Sequence, residues 1–247
     1  ESSGRVDVED DPDSELVYDG PLAVLVNTSS ASASEIFSAA IQDYGRGIIL
    51  GSQTFGKGTV QNLIELNKFM PATKEKLGQL KMTIAKFYRI TGSSTQKMGV
   101  IPDVSYPSVY TNEEYGEASR ETALEWDQIE STSYKKFDDL GRFIPELVKK
   151  HEARIKTTED FKYYLEDVED AIEIKNKKSY SLNEEVRRAE REKSEEKKKL
   201  RDEERGENSE IDITGDEEVE PTRTKIDDPL IKESGHILAD YIVMKIG

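Results

Sequence analysis

The chain has 247 residues, a formal charge of −16, 35% hydrophobic and 35% charged residues, no cysteine and only two histidines, His151 and His236. That length suits one or two domains with a real core. The acidic balance argues against a nucleic-acid footprint, and the missing cysteines exclude disulfides, thiolate metal sites and a cysteine nucleophile.

The excess charge is concentrated in two tracts. Residues 1–19 carry eight acids against Arg5, and residues 207–220 carry seven acids and no base. The first reads as a flexible acidic lead and the stretch 207–225 as an acidic loop. No apolar run reaches the ~20 residues a membrane span needs. The start in an acidic tract without Met reads as a fragment whose targeting signal lies upstream.

Leu22–Val26 is a short apolar run, predicted to be a buried strand. From Ser32 to Tyr44 the residues Ile36, Phe37, Ala40, Ile41 and Tyr44 fall at helical spacing and predict one packed face, with Phe37 and Tyr44 in the core. Gly45 should end that helix. Gly47–Leu50 reads as a second buried strand, so the order β-α-β favours a parallel pair. Val60–Leu66 and Leu80–Ile90 alternate like strands around a loop at Lys68–Gly78, and Met98–Asp103 closes this half as a short turn-containing strand. Its boundary falls near residue 108.

Beyond it the pattern is helical over Glu113–Lys136, Phe143–Lys156 and Thr158–Lys175. From Glu184 to Arg205 nine acids face nine bases, so the helix expected over 181–205 reads as solvated and laced with i,i+4 pairs, or as a partner-binding strip. Ile237, Leu238, Tyr241, Ile242 and Ile246 predict a final helix packed back on the core.

Gly51–Lys57 fits the G-x-x-x-x-G-K pattern of a phosphate-binding loop, but Gly58 stands where that loop needs Ser or Thr, and a strand follows in place of a helix. Nucleotide binding is therefore not expected. The serines at the preceding strand-to-helix turn suit capping, and a hydroxyl there also suits a nucleophile whose product is an oxyanion. No histidine lies in this half to serve as base. Lysine can take that part, because burial readily frees its amine of the proton, and Lys57 sits between two glycines and two apolar strands.

The stretches SASASE, QDYG, FGKGTVQ and GSSTQKMGVIPDV together resemble the C-terminal (tail-specific) processing proteases. The resemblance is strongest over residues 17–108. It implies a partial crotonase/ClpP-like α/β protease core over 20–108, followed by a mainly α-helical C-terminal extension over 109–247. The family's nucleophile stands 25 positions before its lysine, which selects Ser32 against Lys57. The resemblance also implies that Gln61 orients the lysine, that Asp43 supports activity, and that the Ala33 amide helps bind the oxyanion. A tail-binding domain, the first part of the core and the second oxyanion donor belong upstream, so this fragment is expected to be inactive alone. Substrates would be proteins selected by their C-terminal tails, with no cofactor and no metal, in a bacterial periplasm or other extracytoplasmic setting. The alternative is a non-catalytic module that binds an adaptor, or its own copies, through the charged helical region.

Overall fold

A computed structural model describes residues 7–13, 15–204 and 228–246. The acidic loop expected at 207–225 lies outside the described residues, as does the start of the acidic lead; residues 7–13 and 15–19 form neither helix nor strand.

The first elements follow the expected β-α-β order: β1 (Ala23–Val26), α1 (Ala33–Asp43) and β2 (Ile48–Gly51). β1 and β2 pair in parallel, with Ala23 opposite Ile48 and Val26 opposite Gly51. Gly45 adopts φ +62° beyond α1, and the bonds from Gly45 N–H to Gln42 O and Arg46 N–H to Ile41 O make a Schellman stop. β3 (Thr59–Glu65) and β4 (Gln79–Lys86) form an antiparallel hairpin with an irregular register at Val60/Gln61.

The third strand of the parallel sheet is β5 (Val104–Ser105), beside β2. The strand expected at Met98–Asp103 is instead an irregular approach to it. Gly99 turns at φ +62° and Pro102 offers no N–H, so a ladder cannot start before Val104. Asp103 clamps β2 from this loop: its Oδ2 accepts the Ile49 N–H at 2.7 Å and its Oδ1 accepts Gln42 Nε2 at 2.9 Å. Burial raises the Asp103 pKa, against the opposing pull of those two donors and of Arg89.

The helix expected at 113–136 is reduced to one turn, α2 (Asn112–Tyr115), plus a short 3-10 turn at Glu117–Ser119. Backbone groups of this stretch bond to the first half of the chain: Glu117 N–H donates to Phe55 O, Ile129 N–H donates to Gly92 O, and Asp127 O accepts Ser94 N–H. A continuous helix would consume those groups internally. The later helices stand as expected, α3 (Ile144–Arg154), α4 (Glu159–Asn176), α5 (Glu184–Glu204) and α6 (Pro229–Ile246). α5 carries the expected i,i+4 pair at Glu184–Arg188 and an i,i+3 pair at Arg187–Glu190, and its Lys197 also reaches Asp170 on α4 at 2.6 Å.

β2 is the centre of the core. Ile48 and Leu50 face Val104, Tyr106, Leu140, Phe143, Leu147, Ile237 and Tyr241, so α3 and α6 cover one side of the sheet. Ile49 faces the other way, onto Val26, Ala39 and Val100 beside α1. The period of two in β2 thus joins the helical extension and α1 through a single strand.

The buried face of α1 is not the expected one. Glu35, Ser38, Ala39 and Asp43 are buried, while Ile36 and Phe37 are 48% and 54% exposed. The polar face points inward because the loops it packs against present backbone donors and an arginine, which only polar side chains can satisfy. Tyr44 is half-buried against Tyr134 and Phe137. The outer hairpin likewise exposes Leu63, Leu80, Met82 and Ile84.

Candidate active site

Ser32 sits where β1 turns into α1, with φ 56° and ψ −111°. Serine seldom adopts a positive φ, and such backbone strain of order 1–3 kcal/mol is held only where the surroundings over-determine it. Its neighbours Ser29, Ser30 and Ser34 carry no such strain. A sharp strand-to-helix turn with a strained serine presents the hydroxyl outward at the helix start. The next amide, Ala33 N–H, has no protein acceptor among the described residues, as the first helical amide of α1.

The loop from Ser52 to Gly58 carries Lys57 alongside. Its backbone is satisfied almost group by group. Thr54 N–H donates to Val100 O, Phe55 N–H to Ser30 O, and Gly56 O accepts Lys97 N–H at 2.8 Å. Gly58 N–H donates to the buried Gln96 Oε1 at 3.0 Å, and Gly58 O accepts Phe87 N–H. Gly56 stands at φ +91° with the Lys97 backbone 2.8 Å from where a Cβ would sit, so no other residue fits there.

The centre of this arrangement is Glu35, fully buried on the first turn of α1. Its Oε1 accepts Thr54 Oγ1 at 2.6 Å and Gly56 N–H at 2.6 Å; its Oε2 accepts Ser32 N–H at 2.8 Å and Lys57 N–H at 2.9 Å. One carboxylate therefore ties the serine turn to the lysine loop with four donors. The phosphate-loop pattern also finds its physical explanation here. The loop amides of Gly56 and Lys57 do bind an anion, but that anion is the protein's own glutamate.

Of the residues singled out from the sequence, Ser32, Ala33 and Lys57 are thus gathered around Glu35. Lys57 Nζ donates to Thr59 O at 3.3 Å, and no hydrogen bond joins it to the Ser32 hydroxyl among the described residues. Gln61 lies on β3 with its Nε2 3.5 Å from Thr83 Oγ1 across the hairpin. Asp43 stands at the opposite end of α1, about 16 Å along an 11-residue helix. There it pairs with Arg89, Nε to Oδ2 at 2.9 Å and Nη2 to Oδ1 at 2.5 Å, while Arg89 also donates to Gln42 Oε1.

Sequence reasoning missed Glu35, Thr54, Gln96 and Asn112. A signal for Glu35 was present, since Ser32 and Glu35 stand at capping-box spacing. Gln96 and Asn112 serve the loop across 38 and 58 residues of chain, Thr54 within it reaches Val100 across 46, and no local pattern marks them.

Residues 2–106 match the peptidase family S41, and residues 110–243 match the C-terminal domain of tail specific protease. The chain is 39% identical over 243 residues to a tail-specific protease of Haemophilus influenzae, covering 97% of this chain and 35% of that relative. It is 42% identical over 90 residues to a carboxy-terminal-processing protease of Bartonella bacilliformis, covering 36% of this chain and 19% of the relative. The photosystem II D1 C-terminal processing protease is a structural neighbour at 38% identity, over 35% of this chain and 20% of the other, with a TM-score of 0.30. The chain thus spans about a third of the length of the first of these relatives and less of the others.

Proposed function

Since the chain belongs to peptidase family S41 and carries the C-terminal domain of a tail-specific protease, we propose that it is the dyad-bearing part of a serine endopeptidase acting on protein C-terminal tails. The observation that carries this reading is the strained Ser32 turn bound through Glu35 to the Lys57 loop. In the proposed reaction Ser32 Oγ attacks the scissile carbonyl and its proton passes to neutral Lys57. The Ala33 amide donates to the oxyanion. Lys57 then protonates the leaving amine, and water hydrolyses the acyl-enzyme ester.

For this, Lys57 Nζ must exchange Thr59 O for Ser32 Oγ. That calls for a rearrangement of the lysine side chain within a loop whose backbone is held by Glu35 and Gln96. Gln61 would hold the amine in its new position. Asp43 would support the site from the far end of α1, through Arg89. The β-α-β unit and hairpin would form part of a crotonase/ClpP-like core completed by the rest of the longer protein, in an extracytoplasmic setting, and the present chain alone would be inactive.

The test is cleavage of a substrate with a nonpolar C-terminal tail by the full-length protein. Ser32→Ala and Lys57→Ala should each abolish cleavage with melting behaviour intact. Normal turnover by either variant would reject the assignment.

A further inference from the structure

The first residues of the helical extension are built into the lysine loop. Asn112, at the start of α2, is buried, and its Nδ2 donates to Thr54 O at 2.7 Å and to Phe55 O at 2.8 Å. Phe55 O also accepts Glu117 N–H at 2.8 Å. Nearby, the Thr28 hydroxyl, in the turn that leads to Ser32, donates to Tyr110 O at 3.0 Å. Tyr110, Asn112 and Glu117 between them therefore reach both the serine turn and the lysine loop.

The two carbonyls belong to consecutive peptides and face one side chain. A primary amide supplies two donors to them without adding a charge. Aspartate, of the same shape, presents only acceptors, and alanine leaves Thr54 O without a donor and Phe55 O with the Glu117 N–H alone. Glu35 holds the amides of Gly56 and Lys57 from one side, while Asn112 holds the carbonyls of Thr54 and Phe55 from the other. Between them they fix the peptide planes that carry Lys57. Reacting groups displaced by about 1 Å lose about 100-fold in rate.

We propose that Asn112 is a positioning residue for the Ser32–Lys57 chemistry, so that the helical extension forms part of the active-site scaffold; this rests on the dyad reading above. The full-length protein serves as the test, with Asn112→Asp and Asn112→Ala beside Lys57→Ala. Glu114→Gln, an exposed position on the same turn that pairs with Lys175, is the control. Active sites are counted by fluorophosphonate labelling of the nucleophilic serine, and kcat per labelled site and KM are measured on a peptide with a nonpolar C-terminal tail.

The expected result is a fall of about 10- to 100-fold in per-site kcat for Asn112→Asp, with KM within twofold. Asn112→Ala should lose less, and Glu114→Gln nothing. A purely structural role would lower the number of labelled sites and the melting temperature but leave each remaining site at full speed. Per-site kcat within twofold of the parent in both Asn112 variants therefore overturns the proposal. Should the aspartate variant fail to fold, the alanine variant decides by the same criterion. Full turnover by Lys57→Ala would reject the dyad itself, an outcome distinct from normal Asn112 variants in an enzyme that needs Lys57.

Discussion

The backbone amides of Ser32 and Lys57 donate to one and the same carboxylate oxygen, Oε2 of Glu35, at 2.8 and 2.9 Å. The two segments are thereby set against each other through main-chain amides, so neither the Ser32 hydroxyl nor the Lys57 amine is used to join them. Glu35→Ala would strand two buried and two half-buried donors, and a buried donor costs about 1–3 kcal/mol when unpaired. Even with some relief from entering water, the variant should lose more than about 3 kcal/mol. Glu35→Gln keeps the shape but turns part of the acceptor surface into a donor and should fall between. Urea midpoints check the stability, and the fluorophosphonate labelling rate of Ser32 in the fraction that remains folded should drop in both variants.

Ser32 illustrates a conflict between stability and chemistry. Its backbone strain is of order 1–3 kcal/mol, and glycine relieves it at an entropic cost of about 0.5–1 kcal/mol. The strain is the larger effect. Ser32→Gly should therefore melt higher than Ser32→Ala, by about 1 kcal/mol, although both lack the hydroxyl. Equal melting of the two would show that the turn is not held in this conformation in solution.

Asp43 and Arg89 form a mostly buried bidentate pair at the far end of α1 from Ser32. Removing one partner of such a pair leaves an uncompensated charge and costs about 3–5 kcal/mol when burial is complete. With Arg89 partly open to water, Asp43→Ala should cost about 2–3 kcal/mol, and Asp43→Asn less, because it retains an acceptor. An effect on activity that disappears when rates are expressed per labelled serine would assign Asp43 to the scaffold. An undiminished per-site loss would place it in the chemistry.

The parallel β-α-β unit and helices α3 to α6 were legible in the sequence because each rests on local periodicity or an apolar run, and Gly45 marked its turn by backbone freedom alone. The one-turn α2 was not, because Glu113–Lys136 has helix-forming composition while its backbone bonds are taken by Phe55, Gly92 and Ser94 in the other half of the chain. The inward face of α1 was misread for a related reason. Apolar spacing identifies the greasy side of a helix, but Glu35 and Asp43 are buried by donors contributed from Thr54, Gly56, Lys57 and Arg89. The strain at Ser32 leaves no trace in composition.

The helical extension is joined to itself by a buried charge network whose acid response follows from its geometry. Glu233 on α6 is almost fully buried and receives His151 Nδ1 at 2.9 Å and Arg154 Nε and Nη2 at 2.8 and 2.9 Å, while Arg154 and Lys150 also reach Asp240. Burial alone would raise the Glu233 carboxyl, but the hydrogen bonds from His151 and Arg154 and their charges outweigh it and hold its pKa below the ordinary value; Asp240 is lowered in the same way by Lys150 and Arg154. As pH falls, the unfolded chain takes up these protons first, near the free carboxylate value of about 4.3. The contribution of the pair to stability is therefore complete above that pH and is lost as pH falls through the lower folded values. Urea unfolding at pH 7, 5, 4 and 3 should show a steep loss below about pH 4.5. Glu233→Gln should be less stable at pH 7 by about 2 kcal/mol or more, since Arg154 and His151 lose their carboxylate, and its curve should converge with the parent toward pH 3. Curves that stay parallel across this range would mean that the Glu233 carboxylate is not held in this network.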